Sequence, residues 1–177
     1  MGYLMPKRII AIIQARMGST RLPGKVLLPI MNKPLLGHIV DRMSAVKLID
    51  KVVVATSNKK NDDKIAQFCS QTSIPVFRGS ELDVLDRMYQ AARSNQADVV
   101  IRVTGDCPLL DPDVVTCLIK YYFEMQFDHC GVAAGAGVAS DNQINRFPDG
   151  LDAEIFSMEV FTQAWEESTS LLHREHV

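Results

Sequence analysis

RIIAIIQARMGSTRLPGK, residues 8–25, decides the architecture. The stretch from Arg8 to Gln14 is almost wholly apolar and rich in isoleucine, the composition of a strand buried on both faces. Such a strand needs a covering layer on either side. The chain then turns at once into Ala15, Arg16, Met17, Gly18, Ser19, Thr20, Arg21, Leu22, Pro23, Gly24 and Lys25. Cations, hydroxyls and glycines are packed together there, which is loop chemistry at the end of a buried strand.

Moving outward, the same alternation recurs. KVVVAT (51–56) and DVVIRVT (98–104) are further buried strands, with shorter ones expected at 75–78, 127–134 and 151–156. Between them, apolar residues fall at helical spacing: Leu36, Ile39, Val40 and Met43 after Pro34; Ile65, Ala66 and Cys69; Leu85, Met88, Tyr89 and Ala92. Val114, Val115, Leu118, Ile119 and Tyr122 follow, then Val160, Phe161, Ala164 and Trp165. Ser80 and Asp83 have the S-x-x-D form of a helix start, and Asp111-Pro112 supplies a cap and a first-turn proline. Residues 135–150 are polar and aperiodic, a loop at a site or an interface. The reading is one α/β domain over residues 1–177, a parallel sheet covered on both faces. Ligands in such sheets bind beyond the carboxyl ends of strands, so the loops after Gln14, Thr56, Arg78 and Thr104 are the candidate site.

The overall composition restricts the function. With 177 residues, 47% hydrophobic and 23% charged, the chain can bury a substantial core. Nineteen basic against twenty-one acidic residues argue against wrapping nucleic acid. No apolar run approaches the roughly 20 residues that span a bilayer, and the first residues lack the pattern of a secretory signal. Membrane association is therefore not expected. Cys69, Cys107, Cys117 and Cys130 form no C-x-x-C pair, which points to reduced thiols and a cytoplasmic setting. The end at Val177 reads either as a natural helix end or as a chain lacking a last sheet element.

Three clusters carry chemistry. In residues 15–25, small residues let backbone N–H groups approach an anion that Arg16, Arg21 and Lys25 neutralise; the alternative is a solvated basic loop. The spacing fits neither G-x-x-x-x-G-K-[ST] nor G-x-G-x-x-G. Asp106, just past a buried strand and beside Gly105 and Pro108, suits a magnesium anchor, against the alternative of a turn residue bonding its own backbone. Asp152 and Glu154 alternate along a strand; they complete a metal site with Asp106 or form a solvated face. Asp111 reads as a helix cap. Arg78, Gly79 and Ser80, between a strand and a helix, make an anion or base-edge site, whereas Asp86 and Arg87 read as a helix-surface ion pair. Arg102, inside a strand, needs a partner. Tyr121, Tyr122 and Phe123 read as core rather than a stacking platform. The four histidines have no ligand spacing, and nothing marks a covalent nucleophile.

IIQARMGSTRLPGKVLLPI, KPLLGHIVDRM, VVVATS, VFRGSELDVLDRMYQAA, IRVTGDCPLLDPDVV and PDGLDAEIF occur in this order. From Ile9 to Val177 the chain resembles the cytidylyltransferase family of the spore-coat polysaccharide type, related to the octulosonate and sialate CMP-sugar synthetases. The resemblance implies a three-layer α/β sandwich of the nucleotide-diphospho-sugar transferase type, around a mixed, mainly parallel sheet. It also implies transfer of CMP from CTP to the hydroxyl of a sugar, an acidic one in those relatives, with release of pyrophosphate and with Mg²⁺ as cofactor. On that basis Arg16 and Lys25 grip the triphosphate with Ser19 and Arg21 nearby. Ala15, Ser57, Arg78, Gly79 and Ser80 border the base, and Arg87 supports that pocket. Asp106 holds the metal and Asp152 is its second carboxylate. A homodimer is expected only by analogy.

Two departures accompany the resemblance. Cys107 stands where the octulosonate enzymes carry an acidic residue, and longer members continue past Arg174-Glu175-His176-Val177. The other readings are a nucleotide- or sugar-phosphate-binding module without catalysis, and a nucleotidyltransferase that takes UTP or GTP.

Overall fold

The computed structural model describes residues 7–19, 21–132 and 150–175. Its strands are β1 (Ile9–Gln14), β2 (Pro29–Ile30), β3 (Lys33–Pro34), β4 (Lys51–Ser57), β5 (Val76–Gly79), β6 (Val99–Thr104), β7 (His129–Gly131) and β8 (Ala153–Ser157). The helices are α1 (Leu35–Ser44), α2 (Asp63–Gln71), α3 (Val84–Ser94), α4 (Pro112–Met125), α5 (Met158–Glu167) and α6 (Leu171–Glu175). Six strands form one sheet in the order β5-β4-β1-β6-β8-β7. The first four are parallel; β8 runs antiparallel to both β6 and β7. The sheet is therefore mixed and mainly parallel, with the isoleucine-rich β1 inside it. Strands β2 and β3 make a separate two-stranded hairpin.

The side-chain alternation of β1 sorts the two outer layers. Ile9, Ala11 and Ile13 face a core shared with Leu36, Ile39 and Met43 of α1, Ile65 and Cys69 of α2, and Val115 and Ile119 of α4. Ile10 and Ile12 face the opposite core, with Leu85, Met88 and Ala92 of α3 and Phe161 of α5. Burial of each such aliphatic side chain stabilises the fold by about 1.5–3 kcal/mol, so these two clusters dominate its energetics. On the second face Tyr89 stacks on Trp165 with centroids 4.6 Å apart, and the Trp165 indole N–H donates to Asp86 Oδ1 at 2.9 Å. No described helix is long and apolar enough to cross a membrane.

Helix starts follow side-chain chemistry. Asp111 Oδ1 accepts the Asp113 N–H at 2.7 Å, so that residue is the expected cap ahead of Pro112. Helix α3 is capped by Asp83, which accepts the Asp86 N–H, rather than by Ser80. Ser80 instead accepts the Asp83 N–H at 3.0 Å, and the intervening turn serves as a platform for Arg87. Strand β7 is shorter than the expected 127–134, because pairing with β8 covers only three residues. Residues 133–149, with most of the expected 135–150 loop, lie outside the described residues. The hairpin of β2 and β3 and the short helix α6 are additions to the sequence reading. Tyr122 is core, as expected, while Tyr121 and Phe123 are exposed.

Candidate active site

Parallel pairing brings the carboxyl ends of β1, β4, β5 and β6 to one edge of the sheet. The register sets Gln14 beside both Ala55 and Thr104, so the loops after β1 and β6 leave side by side. Gly105 seals that junction. Its N–H donates to Gln14 O at 2.8 Å, and a Cβ on it would stand 2.5 Å from the same oxygen. Only glycine lets the two backbones approach this closely.

The approach encloses a cavity of about 300 Å³ between the two loops. Arg16, Ser19, Arg21, Lys25 and Asp106, all singled out from the sequence, line it together. The loop is closed on itself: Met17 O accepts the N–H groups of Ser19 at 3.0 Å and Gly24 at 2.9 Å. Gly24 takes a left-handed conformation, φ 73°, and starts the short 3-10 turn that aims Lys25 inward. There the Lys25 ammonium is ion-paired and hydrogen-bonded to Asp106 Oδ2. Burial pushes the Asp106 carboxyl up, but the hydrogen bond and charge of Lys25, with help from Thr104, outweigh it and hold the group below the usual carboxylate range.

Asp152 lies just before β8, and the antiparallel register, Val103 opposite Ala153, carries it to the end of β6. It lines a small recess of about 50 Å³ that shares Arg102 and Thr104 with the main cavity. Between the two carboxylates stands Cys107 Sγ, 3.6 Å from Asp152 Oδ2 and 3.9 Å from Asp106 Oδ1. Burial pushes its thiol pKa up, and the two carboxylates add to that against a lowering hydrogen bond from Thr104. Among the described residues no three His, Cys, Asp or Glu side chains are set to hold a metal ion on their own. Asp106 faces the cation-lined cavity and Asp152 the adjoining recess, and such a pair would suit magnesium, which takes one or two protein carboxylates and draws its remaining ligands from phosphate and water.

Glu154 has a different role. Its Oε2 accepts from Arg102 Nη1 at 2.9 Å, so it is the partner the strand-borne arginine requires. Of the residues expected around a base, Ala15, Ser57, Arg78, Gly79, Ser80 and Arg87, none lines the main cavity. Arg78 is fully engaged: Nε donates to Ser57 O at 3.0 Å, and Nη2 donates to Lys59 O at 3.1 Å and pairs with Asp63 at 2.7 Å. Ser57 is buried, its hydroxyl donating to Asp62 and accepting the Lys59 N–H.

Arg87 is completely buried rather than a surface ion-pair member. Its Nη1 donates to Ser80 O, and Asp86 is instead held by Trp165 and Gln90. Burial lowers the Arg87 pKa and the charge of Arg16 lowers it further, while Asp62, Glu81 and Asp83 work the other way. The apolar pattern of α3 concealed this arginine, since Arg87 stands next to the core position Met88. The sequence reading also missed Asp62, buried at the end of β4, and Glu175, which lines the cavity from α6. The carboxylate-bearing α6 is fastened by Arg174, whose Nε pairs with Asp83 at 2.7 Å and whose Nη1 donates to Ser168 O at 2.9 Å.

Comparison with known proteins agrees with this geometry. Residues 10–176 match the family model described as cytidylyltransferase. The spore coat polysaccharide biosynthesis protein SpsF of Bacillus subtilis is 36% identical over 173 residues, covering 95% of this chain and 70% of that protein. The 3-deoxy-manno-octulosonate cytidylyltransferase of Trichlorobacter lovleyi is 35% identical over 113 residues, 64% of this chain and 44% of that protein. A cytidylyltransferase from Leptospira borgpetersenii superposes with a TM-score of 0.83 at 32% identity, over 96% of this chain and 68% of that one. The chain thus spans about two thirds or less of the length of most curated relatives it matches. With the family model covering nearly every residue and the cation-lined cavity where the fold puts its ligands, the chain belongs to the cytidylyltransferase family.

Proposed function

We propose that this domain transfers the cytidylyl group of CTP to a sugar hydroxyl, with an acidic sugar as the acceptor class, and releases pyrophosphate for surface-polysaccharide synthesis. The observation that carries the reading is the convergence of Arg16, Arg21, Lys25 and Asp106 on one cavity. With Arg102 and Glu175 the lining carries four cations against two carboxylates, an excess of positive charge that suits a polyphosphate far better than a neutral ligand. The family, and the relatives acting on octulosonate and in spore-coat polysaccharide synthesis, support cytidine as the base and a sugar as the acceptor.

In this reaction the acceptor oxygen forms a bond to the α-phosphorus as the bond from that phosphorus to the pyrophosphate oxygen breaks. No covalent enzyme intermediate is required, so positioning and charge stabilisation account for catalysis. Arg16, Arg21 and Lys25 neutralise the charge that grows on the leaving pyrophosphate. Lys25 is pre-aimed by Asp106 and pivots to phosphate at no cost in loop folding. Asp106, joined by Asp152, would hold Mg²⁺, whose chemistry is to neutralise phosphate oxygens in the transition state. Ala15, Ser57, Arg78, Gly79, Ser80 and Arg87 form the wall for the base; Ser57 and Arg78 act from behind it, engaged by backbone, Asp62 and Asp63, whereas buried Arg87 donates through Nη1 to Ser80 O and, among the described residues, has no partner for Nε and Nη2.

The test is pyrophosphate release with each of the four ribonucleoside triphosphates and Mg²⁺, against a panel of acidic and neutral sugars. Release is expected with CTP alone and only in the presence of an acidic sugar. A protein that neither turns over nor shows a thermal shift with CTP sinks the proposal. A shift without turnover across the panel assigns the domain to nucleotide binding.

A further inference from the structure

Asp62 is a carboxylate only 2% exposed, in the 3-10 turn Lys60–Asp62 that follows β4. Among the described residues no lysine or arginine forms a salt bridge with it. A buried carboxyl needs hydrogen-bond donors, and the buried Arg87 guanidinium also lies close enough to act on it through charge. Its donors come from two loops. Oδ1 accepts the Met17 N–H at 2.7 Å; Oδ2 accepts the Ser57 hydroxyl and the Ser57 N–H, the latter at 3.3 Å. Met17 is the residue whose carbonyl gathers the N–H groups of Ser19 and Gly24 and so closes the cationic loop. One residue, Met17, therefore links Asp62 through its N–H to the loop closure through its carbonyl. Ser57 in turn accepts the Lys59 N–H and, through its carbonyl, Arg78.

We infer that Asp62 is a positioning residue for the nucleotide. It ties the loop bearing Arg16, Arg21 and Lys25 to the end of β4, so that phosphate-gripping and base-bordering segments are held at fixed separation before ligand arrives. The inference rests on the reading of the cavity as a CTP site. Pulling the loop open leaves Asp62 Oδ1 without its donor while Ser57 still holds Oδ2, so the closed form is the resting state and binding need not order the loop. Asp50 and Asp98 make comparable ties at the opposite sheet edge, where they take their donors from Ile9 and Arg8 at the start of β1. Asp62 draws them from the ends of β1 and β4, both at the ligand edge.

The experiment reads backbone amide exchange on ligand-free protein, with CTP affinity and pyrophosphate release measured alongside. In wild type the Met17 amide is expected to be strongly protected. In Asp62→Ala the amides of Met17, Ser19 and Gly24 exchange at least about tenfold faster while those of Ile10 and Ile12 in β1 keep their protection. The CTP Kd rises by about tenfold or more, and kcat falls with it. Asp62→Asn, which keeps an acceptor oxygen for Met17, recovers part of both the protection and the affinity. If Asp62→Ala does not fold, Ser57→Ala, which removes one donor from the carboxylate, is the substitute, with the same signature at smaller amplitude.

An unprotected Met17 amide in wild type overturns the inference. So does a variant with uniformly faster exchange, a lower Tm and an unchanged CTP Kd. If wild type fails to bind CTP, the proposed function falls, while the amide exchange still decides whether Asp62 ties the loop.

Discussion

Replacing Gly105 by alanine tests the fold and the site at once. The added Cβ would meet Gln14 O at 2.5 Å, and the Cβ and Cα of Ala15 at 3.1 and 3.2 Å. Ordinary carbon–oxygen contacts begin near about 3.3 Å, so the ends of β1 and β6 must separate by about 0.8 Å. The obstructing oxygen is backbone at the end of a central strand and has no rotamer to escape into. Separation stretches the 2.8 Å hydrogen bond from Gly105 to Gln14 and widens the gap between the cationic loop and Asp106. Overpacking of this kind costs about 1–3 kcal/mol, and at this chain length each kcal/mol moves Tm by about 2–4 °C. A drop of about 2–12 °C is therefore expected by differential scanning calorimetry. A displacement approaching 1 Å between positioned groups is worth about 10²-fold in kcat, read as pyrophosphate release. Gly131→Ala is the control, since its Cβ meets nothing nearer than 3.4 Å and should shift stability by no more than about 0.5 kcal/mol. Should Gly105→Ala match wild type in both Tm and turnover, the close approach does not set the geometry of the site.

Further expectations concern individual side chains. Lys25→Ala and Asp106→Asn each lower kcat by about 10²-fold or more, the usual loss when transition-state electrostatics are removed; near-normal turnover in both overturns the site assignment. Because Lys25 holds the Asp106 carboxyl below its usual range, their pairing stabilises the protein fully above about pH 4 and is lost as pH falls through the lowered value. The difference in Tm between wild type and Asp106→Asn should accordingly shrink on acidification, and a difference that grows refutes the pairing. Burial raises the Cys69 thiol to about 11, so at pH 8 only about one molecule in a thousand carries its thiolate. An aromatic disulfide reagent should label exposed Cys117 rapidly and leave Cys69 unreacted until the protein unfolds. Arg174→Ala removes the fastening of α6 and should lower stability by about 1–3 kcal/mol, seen as a lower urea midpoint at unchanged slope.

Strand and helix types were legible because β1, β4 and β6 are continuous apolar runs and the helices between them keep a 3.6-residue stripe. Parallel pairing of β1, β4, β5 and β6 was legible as well, whereas a mixed sheet was expected only from the family resemblance. The reversal at β8 leaves no mark on an apolar pattern, since a strand buried on both faces reads the same in either sense. The grouping of Arg16, Arg21, Lys25 and Asp106 around one cavity was legible because these residues follow strand ends in sequence as well as in space. The supporting charges were hidden for opposite reasons. Asp62 sits in a run of polar residues, Asn58 to Lys64, that looks like any solvated connection. Arg87 sits among core residues, where its neighbour Asp86 offered an easier pairing. What distinguishes Asp62 and Arg87 is burial, and burial of a charge is decided by tertiary packing alone.

The antiparallel strand β8 has a consequence for how this scaffold diversifies. Its amino end meets the carboxyl end of β6, and β7 stops opposite Glu154, so the connection from β7 to β8 both departs from and returns to the ligand edge. Segments of different length or chemistry can be exchanged between those two fixed points without altering a single strand pairing. The loops after β1, β4 and β6 leave strands paired on both sides, so a change there is transmitted directly into the sheet.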